Sequence, residues 1–245
     1  MMCMGKNIPV PDADTLGGFS TLAAATARSH VRAAKCLLQG EFWGQARSIA
    51  VIAFEETGKA WLSVMAMLSP DELRQEFPFS DLEWDHRWKL GAAHSMRALL
   101  AFVRGSGGPS VNAAEALADL DALAREDNMA KQCGLYTDYA DGAVRSPADI
   151  TEEQARAMVA VVEDVLDNAG PLIDLITAMW ARDNVPPAVL AFLRQAADAV
   201  QAGGDAMAIF VQSEFLSMEP LAGMLRDDPE WIRGIVAVAE QLGEI

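Results

Sequence analysis

The stretch Phe42 to Leu68, FWGQARSIAVIAFEETGKAWLSVMAML, constrains this chain more than any other, because it reads as one long apolar helix interrupted at its centre by Glu55, Glu56 and Lys59. At about 100° per residue, Ala46, Ile49, Ala50, Ala53, Phe54, Ala60, Trp61 and Val64 fall on one broad arc. Val51, Ile52 and Leu62 fall outside it, so the helix is apolar on nearly every side. Such a helix belongs at the centre of a bundle. On the same wheel Glu56 flanks the main stripe, while Glu55 and Lys59 lie towards the opposite side. The wheel therefore makes Glu56 the glutamate expected to need a cation from another helix.

At 245 residues the chain can bury roughly three quarters of its unfolded surface and needs no staples to hold a core. Cys3, Cys36 and Cys133 are odd in number and lack CxxC spacing, which fits reduced thiols of a cytoplasmic protein and implies neither disulfides nor zinc. The N-terminal residues carry no apolar signal core, and no run is long enough to span a bilayer, so no membrane association is expected. The net charge of −16 argues against a general nucleic-acid coat. The charge is uneven, however. Residues 1–104 carry 11 basic and 11 acidic side chains, whereas residues 151–245 carry 5 and 16. A polyanion can still meet the first half locally.

The remaining pattern is helical throughout. A first helix spans about Leu16 to Gln39, with Arg28, Arg32 and Lys35 on one face, and Gly40 is its expected left-handed stop. That basic stripe is read as either a solvated face or a phosphate-binding face. Ser69-Pro70 opens a short helix ended by Pro78, and Ser80 or Asp81 caps a third long helix carrying Trp84, Trp88, Leu90 and Met96. A fourth follows Asn112. The segment from Met129 to Ile150, with Gly134, Asp141-Gly142 and Pro147, reads as an ordered loop. Thr151 caps a helix running to about Ala181, in which Gly170-Pro171 predicts a kink, and three shorter helices follow. The expected fold is all-α: an antiparallel four-helix core over residues 1–184 with a C-terminal α-helical extension over 185–245, packed on the bundle.

The candidate chemistry lies on two helices. Glu55 and Lys59 stand at i and i+4, the spacing of an intrahelical ion pair. On the third helix His86 and Lys89 stand at i and i+3, and Arg87 and His94 at i and i+7, only about 20° apart on the wheel. Two imidazoles and two guanidiniums, Arg87 and Arg97, on one helix suit a phosphodiester, with histidine moving a proton near neutral pH. Equally, His86 and Lys89 can neutralise Glu56 or Glu55 and lock the two helices together. No Glu-x-x-His pair, phosphate-cradling glycine loop or serine-nucleophile motif occurs, so no metal and no cofactor is expected.

In combination, ARSHVRAAKCLLQGEFWGQARSIAVIAFEETGKAWL, then HRWK, then KQCGLYTDY, resembles the AbiV family of abortive phage infection proteins, related to the HEPN superfamily. The shared features are EE-x-x-K at Glu55, Glu56 and Lys59, H-x-x-K at His86 and Lys89, and G-L-Y-x-D at Gly134, Leu135, Tyr136 and Asp138. The resemblance covers about Ala23 to Leu175. It implies a cytoplasmic, toxin-like defence effector. It further implies a metal-independent ribonuclease working as a homodimer, with RNA as substrate and a phage or host protein as a partner. The R-x6-H spacing of Arg87 and His94 corresponds to that superfamily's motif: Arg87 would hold the scissile phosphate and His94 would assist the ribose 2′-hydroxyl or protonate the leaving oxygen. His86, Lys89, Glu56 and Lys59 would shape the site. The alternative is a non-catalytic interaction protein whose Glu/Lys/His network is structural and whose acidic second half contacts a protein.

Overall fold

The computed structural model describes residues 11–68, 86–103, 120–140 and 142–180. Five helices account for most of them: α1 Ala13–Gln39, α2 Trp43–Leu68, α3 His86–Val103, α4 Leu120–Leu135 and α5 Glu152–Trp180. A two-stranded antiparallel hairpin, β1 Asp138–Ala140 with β2 Ala143–Arg145, and a 3-10 turn at Pro147–Asp149 connect α4 to α5. Among the described residues the fold is all-α apart from this hairpin. The short helix expected after Ser69, the caps at Ser80, Asp81 and Asn112, and the extension at 185–245 lie outside the described residues.

Each helix starts where its chemistry allows. Asp12 caps α1 by accepting from the Thr15 amide at 2.7 Å. Thr151 and Gln154 cap α5 reciprocally: the Thr151 hydroxyl accepts from the Gln154 amide at 3.2 Å, and the Gln154 side chain accepts from the Thr151 amide at 3.0 Å. α5 continues through Gly170-Pro171 as one helix. The α1–α2 turn departs from expectation. Gly40 has an ordinary φ of −87°, and the left-handed residue is Glu41 at φ 62°. Gly40 is small for another reason, since a Cβ there would meet the Phe42 ring at 2.9 Å.

α2 touches all four other helices, which is why it is apolar all round. Its Ala46, Ala50, Val51, Ala53, Phe54, Ala60 and Val64 are fully buried. α1 lies against it through Ala24, Ala27 and Ala34, and the buried Ser20 hydroxyl donates to the Ala60 carbonyl at 2.9 Å. The α1 basic stripe meets α5: Arg28 pairs with Asp174 at 3.3 Å and Lys35 pairs with Glu163. Arg32 remains exposed.

The region read from sequence as a loop from Met129 is helical as far as Leu135. Gly134 permits this. A Cβ there would overlap the Gly44 carbonyl and the Ser48 hydroxyl, so glycine marks the close approach of α4 to α2 rather than a break. Ser48 reinforces that approach by donating to the Lys131 carbonyl at 2.8 Å. Gly142 does turn the chain, at φ 80° in the hairpin.

Candidate functional site

The charged side chains of α2, α3 and α4 converge on a single layer. Glu55 is 5% exposed, and its two oxygens are divided between partners: Oε2 is 2.9 Å from His86 Nδ1, and Oε1 accepts from Lys131 Nζ. Lys131 Nζ is also 2.9 Å from His86 Nδ1. One ring nitrogen cannot donate to a carboxylate and accept from an ammonium at once, so the tautomer of His86 decides which contact is made. Glu55 keeps its Lys131 partner in both arrangements.

The wheel had made Glu56 the buried glutamate; the structure reverses this. Glu55 is enclosed because α3 and α4 cover the side of α2 that an isolated helix would expose, while the Glu56 side chain remains 16% exposed. The intrahelical pair is correspondingly Glu56 with Lys59, at i and i+3 and 2.6 Å, rather than Glu55 with Lys59. Desolvation leaves Glu55 dependent on its cations.

Lys89 is 2% exposed beside these groups. Burial pushes its ammonium below the ordinary lysine value of 10.5, Glu55 and Glu56 pull the other way, and Lys59 and Lys131 add to the depression. Its backbone is as confined as its side chain. Gly58 of α2 faces the Lys89 carbonyl so closely that a Cβ would overlap it, with the Ala93 amide nitrogen 3.2 Å away. A glycine is thus what lets α3 approach near enough for His86 to reach Glu55.

Two turns along α3, His94 makes a second rung. Its Nε2 is 2.9 Å from Asp127 Oδ2 of α4, and its ring meets Phe54 of α2 edge to face at 4.9 Å between centroids. The residue is 7% exposed. His86, in contrast, keeps a side chain 39% exposed. Arg97 is exposed, and the Arg87 side chain lies outside the described residues. Glu55, His86, Lys89 and Lys131 therefore form one group, Glu56 with Lys59 lies at its edge, and His94 pairs separately.

Lys131 and Asp127 are the participants that sequence reasoning missed. They stand at i and i+4, sharing a face of α4 with Ala124 and Gly134. That face becomes visible only once the helix is carried past Asp127 to Leu135. Among the described residues no group of three or more His, Cys, Asp or Glu side chains can hold a metal, and no helix is long and apolar enough to cross a membrane.

A helical bundle whose central helix is clamped by buried charge from two neighbours defines the class: an α-helical protein with a polar layer inside its core. Comparison with family models matches the HEPN-type family described as AbiV over residues 16–167. The chain belongs to the AbiV family of abortive-infection proteins. No curated protein matches it, and no solved structure does.

Proposed function

We propose that the chain is a phage-defence effector of the cytoplasm that acts by binding a phage or host protein, with its Glu55, Glu56, Lys59, His86, Lys89 and Lys131 layer serving as the frame that holds α3 and α4 on α2. The observation that supports this reading is the burial of His94. A residue that moves a proton to or from RNA must come within hydrogen-bond reach of it. His94 instead spends Nε2 on Asp127 and packs its ring on Phe54. Lys89, buried in an environment that disfavours its ammonium, is no better placed to hold a phosphate. The exposed Glu152, Glu153, Asp164, Asp167 and Asp174 of α5 supply an acidic surface for a basic partner.

A second reading is favoured by His86, whose half-exposed ring is oriented through Nδ1 by a buried carboxylate, as an acid–base imidazole is. In it the chain is a metal-independent ribonuclease assembled as a homodimer. Arg87 and His94 carry the chemistry, and His86, Lys89, Glu56 and Lys59 shape the site. One experiment separates the two: purified protein is incubated with total bacterial RNA without added metal, beside Arg87→Ala, His86→Ala and His94→Ala variants. The binding reading expects intact RNA in every lane. RNA cut by the parent protein and spared by a folded His86 or His94 variant overturns it in favour of catalysis.

A further inference from the structure

The face of α4 next to the charged layer is occupied by something else. Where the hairpin and the 3-10 turn fold back over α4, they leave an open cleft of about 190 Å³. Four charges line it: Arg47 of α2, Glu126 of α4, Arg145 of β2 and Asp149 of the 3-10 turn, with Met129 and Cys133 between them. Two of the four are committed. The Asp149 carboxylate accepts from the Ser146 amide at 2.7 Å, and Arg145 Nη1 lies 2.9 Å from the Met129 sulfur. The other two are not. Among the described residues Arg47 makes no ion pair and its buried Nε has no acceptor, and Glu126 meets no cation.

Arg47 brings to this space a guanidinium whose buried Nε has no acceptor, and Glu126 brings an exposed carboxylate with no cation on it. Water solvates the exposed carboxylate at little cost, so the guanidinium is the group that most lacks a partner. A bound molecule that meets both charges would supply one, and the wall selects its type. A simple anion entering the cleft faces two carboxylates, and a simple cation faces two guanidiniums. A molecule carrying both charges satisfies both ends. The size is also limiting: a cavity of about 150 Å³ admits benzene, a molecule of about six heavy atoms.

We propose that this cleft is a binding site for a small zwitterion of the α-amino-acid type, its carboxylate on the Arg47 guanidinium, its ammonium on Glu126 and a short side chain against Met129. Planar guanidinium donors suit a carboxylate. The ligand would tie α2 and α4 to the turn that precedes α5.

The test uses the full chain, with L-alanine, L-serine and L-valine at millimolar concentration as probes. Propionate and ethylamine serve as analogues of alanine that carry one charge each. Calorimetry and thermal melting should detect at least one of the amino acids and neither analogue. Arg47→Met and Glu126→Gln should each weaken that binding about tenfold, the loss of one charged hydrogen bond, with the melting temperature of the free protein unchanged for the exposed Glu126 variant. Alkylation of Cys133 by iodoacetamide, followed by peptide mass spectrometry, gives an independent readout. The bound amino acid should slow it and leave the exposed Cys36 unaffected. The proposal is overturned if none of the three amino acids binds or protects Cys133, if propionate binds as well as alanine, or if Glu126→Gln binds as tightly as the parent.

Discussion

Two seams of this bundle are built from the same kinds of ion pair and differ in where water reaches. On the outer seam, α1 meets α5 through Arg28–Asp174 and Lys35–Glu163, with all four side chains at least a third exposed. On the inner seam, α2 meets α3 and α4 through Glu55, His86 and Lys131, and Glu55 and Lys131 are almost fully enclosed. Exposed pairs contribute little, because water solvates the partners nearly as well when they are apart. An enclosed charge has no such alternative, so each partner becomes a condition for the other to be buried at all. The outer seam is adjustable, and the inner one specifies which helices meet and in what register.

Removing one enclosed partner tests this distinction most severely. Glu55→Ala strands Lys131 beside His86 and Lys89 and should destabilise the fold by about 3–5 kcal/mol, with little dependence on salt. Urea unfolding at low and high ionic strength measures both parts. A midpoint unchanged by the substitution would mean that the inner layer is solvated, and the comparison with the outer seam would collapse.

Next in size is the packing that brings the inner layer together. Gly58→Ala places a methyl group on the Lys89 carbonyl, and the separation of α2 from α3 that follows should cost about 1–3 kcal/mol. Gly91→Ala on α3 is the matched control, because nothing lies within 4 Å of its Cβ position. There the helix-propensity gain stands alone, about 0.5–1 kcal/mol in favour of the variant. Thermal melts that shift in the same direction for both would contradict the close approach at Gly58.

How much of this was legible in the sequence follows from where each signal resides. The helices α1, α2 and α5 show in the chain because capping residues and apolar periodicity are local. The motifs EE-x-x-K and H-x-x-K also picked out side chains that α2 and α3 bring towards one another, His86 meeting Glu55. What remained hidden was which glutamate is enclosed. A wheel ranks the faces of one helix by its own composition, whereas Glu55 is buried by α3 and α4, elements that the wheel of α2 does not contain. Lys131 and Asp127 were hidden by Gly134, taken for a helix breaker when it serves as the contact that lets α4 lie against Gly44 and Ser48. The same residue type marks stops and close approaches, and only the neighbouring helix distinguishes them.

The protonation of Lys89 is a finer probe of the same enclosure. Burial lowers its affinity for a proton in the fold relative to the unfolded chain, where the value is near 10.5. The unfolded chain therefore binds the proton more tightly, and the cost to the fold is fully present below the lowered value. Stability owed to Lys89 rises with pH through the window between that lowered value and 10.5. Lys89→Met should flatten this rise. Urea midpoints for parent and variant, taken at intervals from neutral pH to about 10, should diverge in slope; parallel curves would assign the alkaline dependence to other groups.

The outer seam should yield the smallest effect. Arg28→Ala leaves Asp174 at the surface, where water replaces the guanidinium, so a loss of about 0.2–1 kcal/mol is expected and should shrink as salt is raised. One complication sharpens the test. The Arg28 side chain also lies over Gly170, filling the space that a Cβ would occupy, so truncation removes packing as well as charge. Asp174→Asn removes the charge and leaves that packing in place. If both variants lose the same salt-dependent amount, the seam is electrostatic. If Arg28→Ala loses more and the excess is insensitive to salt, the guanidinium holds α1 to α5 chiefly by covering Gly170.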